Sequence, residues 1–516
     1  MSTTTMPPAP EVTRPPADGD RPWAAVLALA RFEARELLLN IPVLVLLVLY
    51  LGYTAYGLVA AEQDGMTDYP VLQNADRASQ TAPQLVALAV LLCVNHAVLR
   101  SRRHGTDRHF GVLPLQPWRR TLAHALSAVP LAGLVAVVVG AEFAWAASKP
   151  GAVGHGSLFE LVVAPLSVLL AGVVGVLLAR LIGSAFAAPL FVVGLYVLLA
   201  VFSIATSGSD PHWLRWLSPV VPESGGDPLP SGLLGRPAAW HALYLVGLTV
   251  ALLCGAVTAS GRRTRTVAVV TAAALAATAA GIAGQSPGDS RDLAAARETA
   301  SASPETVESC TVRGSVTYCA FPEWSGRTAD WAAVVERVQH LAGDRRDRLT
   351  VRQRVEARYG LTSDAALTAL SGPGQVTVGT AWGGNRIPEF AVGVASVLVA
   401  GDEQAASAVC DARAVTITWL ALAAQADPMS AFVHVRLDDR TEGSGLVLAP
   451  TDPLGMSAGE TAMVRALLAK PREVVSAAVR AHWAELTSPK TSLARVAQLL
   501  DVKAPEKEDS RDACEA

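Results

Sequence analysis

Residues 41–61 read IPVLVLLVLYLGYTAYGLVAA, a run of 21 residues without a charge. A helix of about 20 apolar residues can cross the hydrocarbon core of a bilayer, because all its backbone amides pair within the helix. The composition of the whole chain also indicates a membrane protein, since 51% of the 516 residues are hydrophobic and only 17% are charged. This stretch therefore predicts a protein that spans a membrane.

Further apolar stretches predict that the chain crosses the membrane about seven times. They are residues 82–99, 122–147, 158–178, 185–205, 238–260 and 267–283. The last is rich in Ala, which favours insertion less than Leu or Ile but suits close helix packing. We expect a membrane all-α fold with a helical bundle at 41–284. Residues 1–20, rich in Pro and Thr, are expected to form a disordered cytoplasmic tail.

The distribution of basic residues predicts the orientation of the bundle. Fourteen Arg residues precede span one or lie in the loops after spans two, four and six, whereas the opposite loops hold four Arg or Lys residues. Loops rich in Lys and Arg stay in the cytoplasm. The N-terminus is therefore expected inside, and an odd number of spans leaves residues 285–516 outside.

Residues 285–516 carry many charges and mixed periodicities, so we predict an extracytoplasmic α+β, mostly helical domain with a polar C-terminal tail. In CTVRGSVTYC, a two-residue turn with Gly314 first would set Cys310 across a hairpin from Cys319, within disulfide reach. Cys410 and Cys514 are the remaining option for a second pair.

Periodicity within this domain predicts helices and three short strands. Helices are expected at 328–342, 344–359, 403–425, 457–468 and 471–486. Strands are expected at 315–321, 375–380 and 431–437, the last because FVHVRL alternates.

The sequence offers no catalytic constellation. A phosphate-binding G-x-x-x-x-G-K-[ST] motif is absent, and no Lys lies between 150 and 469, so any ATPase must be another polypeptide. Metal-peptidase spacing and a G-x-S-x-G motif are also absent. The net charge of −3 and the lack of a basic domain exclude nucleic acid as a partner.

Polar residues within the predicted spans need an explanation, in particular Asn95, His96, His124 and Glu142. Ionisable groups in a bilayer are costly and often functional. The two His lie near the cytoplasmic ends of their spans. Glu142 lies near the outer end, where it either reaches the headgroups or lines a substrate path.

Two cytoplasmic features are more informative. Residues 21–40 predict a helix on the membrane surface, with one apolar stripe of Trp23, Val26, Leu27, Ala30, Ala34, Leu37 and Leu38. The loop after span two contains RRHGTDRHFGVLPLQPWRR at 102–120, which is basic and interrupted by two Pro. This loop is either a simple orientation signal or a docking segment.

Together these features resemble the permease subunits of type-2 ABC exporters, over roughly residues 20–260. In that family an N-terminal elbow helix precedes span one, and the loop between spans two and three carries G-T followed by P-x-x-R. Gly105 and Thr106 match the first motif, and Pro117 with Arg120 matches the second. The family's acidic residue before G-T is replaced here by Arg103 and His104.

The resemblance implies a coupling loop that docks on a separate ABC ATPase, and that carries Arg103, Gly105, Thr106, Pro117, Trp118, Arg119 and Arg120. It also implies a second permease copy or a paralogue, with ATP and Mg bound by the ATPase and no cofactor on this chain. The expected location is a bacterial cytoplasmic membrane. The alternative is an extracytoplasmic sensor or enzyme domain on a polytopic anchor, although seven spans exceed what an anchor needs.

Overall fold

The structure is a computed structural model that describes residues 21–63, 68–105, 116–206, 217–220, 227–286, 290–343, 348–358 and 367–504. Its N-terminal half is helical. The helices are α1 Arg21–Leu38, α2 Ile41–Gln63, α3 Leu72–Ala78, α4 Gln84–Arg103, α5 Pro117–Leu126, α6 Val129–Ala147, α7 Leu158–Leu161, α8 Val163–Leu181, α9 Ala187–Thr206, α10 Ala238–Ala259 and α11 Arg265–Gln285.

Six helical segments of the described chain are long and apolar enough to span a membrane, which indicates a multi-pass membrane protein. They are Ile41–Val59, Gln84–Arg103, Pro117–Ala147, Leu158–Leu181, Ala238–Ala259 and Arg265–Gln285. The Ala-rich stretch is among them. The stretch predicted at 185–205 is also an apolar helix, α9, of 20 residues.

Small residues let the central helices approach closely. A Cβ on Gly175 of α8 would lie 2.5 Å from the Leu91 carbonyl oxygen of α4, and Asn95 Nδ2 donates to the Gly175 carbonyl at 3.1 Å. A Cβ on Gly281 of α11 would lie 2.6 Å from the Tyr244 amide nitrogen of α10. Backbone packing of this kind holds helices together where no hydrophobic effect operates between them.

The segments between helices gather at two ends of the bundle. We call one end the arginine end; it contains α1, the start of α5 and residues 260–264. Contacts such as the 2.6 Å hydrogen bond between the Thr121 and Ser260 hydroxyls join these segments. At the other, the domain end, Leu72 N donates to Val153 O, and Gln73 Nε2 donates to Leu229 O at 2.8 Å. Segments that follow α2, α6 and α9 therefore share the end on which the C-terminal domain sits.

The C-terminal domain packs helices on a small sheet. Its strands are β1 Ser309–Arg313, β2 Val316–Ala320, β3 Thr350–Gln353 and β4 Gln375–Val378, in the order β1-β2-β3-β4, with a separate pair β5 Gly445–Val447 and β6 Leu454–Met456. β1 and β2 are antiparallel, whereas β2, β3 and β4 run parallel. The helices are α12 Arg291–Ala302, α13 Thr328–Leu341, α14 Arg386–Ala400, α15 Glu403–Ser407, α16 Arg413–Ala423, α17 Pro428–Val435, α18 Ala458–Leu468, α19 Arg472–Ala481, α20 Trp483–Leu486 and α21 Leu493–Leu499.

The predicted hairpin and disulfide are confirmed. Arg313 pairs with Val316, so the turn has two residues, and Gly314 has φ of +61° as a Gly-first turn requires. Cys310 lies directly opposite Cys319, and the two are disulfide-bonded. Cys410 is disulfide-bonded as well, and Cys514 lies outside the described residues.

Two element predictions in this domain are wrong. The helix expected at 344–359 is strand β3 at Thr350–Gln353, where Val351 and Gln353 are buried on alternate positions between two parallel neighbours. The strand expected at 431–437 lies largely in helix α17, which Asp427 caps by accepting from the Met429 and Ser430 amides.

The helix expected at 403–425 is interrupted between Ser407 and Arg413, and forms α15 and α16. The helices expected at 328–342 and 457–468 are confirmed, the latter with a capping box at Ser457 and Glu460.

Candidate functional site at the arginine end

Helix α1 lies against the bundle through its apolar stripe. Val26, Ala30, Ala34 and Leu37 are buried, and Val26 and Ala30 pack on Ala123 of α5. Trp23, on the same stripe, is 58% exposed. The stripe therefore divides into a part that fixes α1 to the protein and an exposed part at its N-terminal end.

Glu33 ties α1 to two of the membrane helices. Its carboxylate accepts a hydrogen bond from Arg100 Nη2 of α4 at 2.9 Å and lies 3.8 Å from His124 Nδ1 of α5. Glu33 is 5% exposed, and this burial raises the pKa of its carboxyl against the opposing effect of Arg100. A buried, paired charge of this kind fixes one orientation of α1 on the bundle.

Trp118 is the centre of the site. Its ring packs edge to face with Trp23 of α1 at a centroid distance of 6.2 Å, and Arg262, between α10 and α11, lies over it at 3.9 Å. Arg119 lies 5.2 Å from the same ring. Cation–π contacts add to aromatic packing. Three segments that are far apart in sequence therefore meet at one side chain.

The predicted loop residues divide into two groups. Pro117 begins α5, so Trp118, Arg119 and Arg120 form its first turn next to Trp23. Gly105 ends the preceding segment with φ of +66°. Arg103 contacts His96 of its own helix, and Thr106 lies outside the described residues.

Glu142 lies apart from this site, toward the domain end of α6. It is half-buried and lies near Tyr50 and Thr54 of α2. The Tyr50 hydroxyl is buried and has no hydrogen-bond partner within the described part of the chain. The structure thus brings polar groups of α2 and α6 together, without a charge partner for Glu142 among the described residues.

Sequence reasoning missed a buried ionic network at the domain end. Arg77 of α3 contacts Glu160 of α7 at 2.6 Å, with side chains 8% and 4% exposed, and Gln80 donates to the same carboxylate at 2.6 Å. Asp76 accepts from the Ser157 amide, and burial raises its pKa to about 6 although Arg236 lies 3.6 Å away. The available signal was Glu160 itself, an acidic residue inside the predicted span 158–178.

The C-terminal domain is docked on this end by buried polar contacts. Arg327, 1% exposed, donates to the carbonyl oxygens of Tyr69 at 2.6 Å and Gly151 at 3.3 Å. Glu323 accepts from Gln73 Nε2 at 3.0 Å and from the Ser231 amide. The domain's hydrophobic core includes Val71, Val153, Leu229 and Leu233 from the same segments. The C-terminal domain and the segments at the domain end of the bundle thus share one core.

No group of three or more metal-binding side chains occurs in the part of the chain that the structure describes. No family model matches this chain, and no curated protein matches it in sequence.

Proposed function

We propose that this chain is the membrane-spanning permease subunit of an ATP-driven type-2 ABC exporter. The observation that carries the proposal is the assembly around Trp118. The helix resembling an elbow, the segment resembling P-x-x-R and the loop 260–264 form one surface, although the three are distant in sequence. An ATPase that docks there would contact all three at once.

The contacts of this surface would transmit a movement of the ATPase to the membrane helices. Glu33 links α1 to α4 and α5, and the Thr121–Ser260 hydrogen bond links α5 to the end of α10. Motion imposed on the first turn of α5 would therefore move several membrane helices as a rigid body. ATP and Mg would be bound by the partner ATPase and not by this chain.

The remaining parts of the proposal concern topology and assembly. In it, α9 is a seventh crossing, the N-terminus is inside a bacterial cytoplasmic membrane, and the C-terminal domain is outside. The Cys310–Cys319 disulfide is in keeping with an oxidising compartment. A second permease copy or a paralogue would complete the pore, and Glu142 with Tyr50 and Thr54 would line its outer part.

Co-purification tests the proposal. The detergent-solubilised chain should retain an ABC ATPase, and Trp118→Ala should weaken that association about tenfold or more, because a truncated aromatic anchor typically costs 2 kcal/mol or more. Arg119→Glu should act in the same direction by reversing a charge.

Arg313→Glu is the matched control, since Arg313 is exposed and belongs to the C-terminal domain. If no ATPase is retained, or if Trp118→Ala and Arg313→Glu behave alike, the permease proposal fails. A chain that is stable and active without any ATPase would favour the anchored extracytoplasmic domain.

A further inference from the structure

A cavity of about 200 Å³ lies between α4 and the start of α9 at the arginine end. One wall is a face of α4 and carries Leu92, Asn95, His96 and Arg103. The facing wall is small and apolar, formed by Ala185, Ala188 and Pro189. The cavity thus combines a polar wall with an apolar wall at one end of a membrane bundle.

Arg103 adopts an unusual direction for an arginine at the end of a membrane helix. Such side chains normally extend outward toward the headgroups and water. Arg103 instead contacts His96 Nδ1 through Nη1 at 3.1 Å. His96 lies two helical turns earlier, a rise of about 10 Å toward the bilayer centre. The guanidinium therefore lines the cavity beside His96, and both side chains are exposed.

Arg103 and His96 present hydrogen-bond donors to the cavity and no acceptor. A guanidinium can only donate, so His96 Nδ1 must accept and the ring proton of a neutral His96 must be on Nε2. Within the described residues, no carboxylate lies within 4.0 Å of Arg103.

The surroundings of the cavity are apolar. Phe186 and Leu190, next to the apolar wall, are 73% and 69% exposed, and Leu181 is 64% exposed. On a bundle that spans a membrane, this surface faces acyl chains. A ligand that fits both walls must carry a negative group for Arg103 and His96, and an apolar chain for the surface of α9.

We propose that this cavity binds the headgroup phosphate of an anionic phospholipid from the leaflet at the arginine end. The phosphate accepts from Arg103 and from His96 Nε2, and the acyl chains lie along α9. The site is independent of ATP and of the ABC proposal, because it needs only a bundle that spans the membrane.

Lipid binding to the purified full chain, followed by native mass spectrometry, tests the proposal. Phosphatidylglycerol should bind about tenfold more tightly than phosphatidylcholine, because both lipids carry the phosphate but the choline cation of phosphatidylcholine is repelled by Arg103. Arg103→Gln should abolish this preference. Arg263→Gln is the matched control, because Arg263 is exposed at the same end and does not line the cavity.

A second variant tests the cavity without a change of charge. Ala185→Leu places an apolar side chain in the cavity and should weaken phosphatidylglycerol binding while the protein stays folded. Inorganic phosphate should not compete, because it lacks the apolar chain. The proposal is overturned if Arg103→Gln keeps the preference, if Ala185→Leu binds as the unchanged chain does, or if inorganic phosphate displaces the lipid and so identifies a site for a soluble anion.

Discussion

The guanidinium of Arg327 donates to the carbonyl oxygen of Tyr69 at 2.6 Å, across 258 residues of sequence. Tyr69 lies between the first two membrane helices and Arg327 precedes α13 of the C-terminal domain. The same guanidinium lies 5.7 Å from the Tyr69 ring, which in turn packs edge to face with Trp382. This contact therefore joins the membrane bundle to the core of the domain.

Arg327→Ala should loosen the docking of the domain. The substitution removes charge-assisted hydrogen bonds from a buried position, each contributing about 1.5–3 kcal/mol. Amide exchange of residues 68–72 should accelerate by about tenfold or more as the segment opens locally. Arg313→Ala, an exposed arginine of the same domain, should leave this exchange unchanged. Equal exchange in both variants would mean that Arg327 does not hold the interface.

Glu160→Gln should destabilise the bundle at the domain end. It leaves the Arg77 guanidinium buried without its carboxylate, a change that typically costs about 3–5 kcal/mol. The double variant Arg77→Met with Glu160→Leu removes both charges and should cost less than Glu160→Gln alone. Thermal unfolding of the purified chain measures both. A double variant that unfolds at a lower temperature than the single one would contradict this account of the pair.

Glu308 should make the stability of the C-terminal domain depend on pH. Its side chain is fully buried 3.5 Å from Arg352, and burial raises its pKa to about 7, against 4.5 for an unperturbed Glu. A raised carboxyl pKa stabilises the fold below pH 4.5, and this contribution is lost as pH rises through about 7.

Glu308→Gln should therefore unfold at a higher temperature than the unchanged chain at pH 8, by an amount that corresponds to about 3 kcal/mol, and should lose most of this advantage at pH 5. Glu305→Gln serves as the control, because Glu305 also pairs with Arg352 but is 55% exposed. A similar pH profile for all three proteins would show that Glu308 ionises normally.

Reporter fusions test the proposed orientation. Alkaline phosphatase fused after residue 300 should be active, because it folds only in an oxidising compartment. The same enzyme fused after residue 263, at the arginine end, should be inactive. The reverse pattern would invert the topology and place the Cys310–Cys319 hairpin in the cytoplasm.

The local features of this protein could be predicted from its sequence. Six of the predicted spans are helical segments long enough to cross a membrane. They could be predicted because the thickness of the hydrocarbon core requires about 20 consecutive apolar residues. The Gly314 turn likewise fixes the register of Cys310 and Cys319 within ten residues. The predictions at 344–359 and 431–437 were wrong, because neighbouring strands and an Asp427 cap outweighed the local periodicity.

The sequence by itself determined that the chain carries helices long and apolar enough to span a membrane, and which cysteines form the hairpin disulfide. Only the tertiary structure decided that Arg327 binds Tyr69, that Arg77 pairs with Glu160, and that Trp118 meets Trp23 and Arg262. The physical reason is the range of the interactions. Insertion and hairpin formation depend on consecutive residues, whereas a buried charge takes the partner that folding brings within a few ångströms, whatever its distance along the chain.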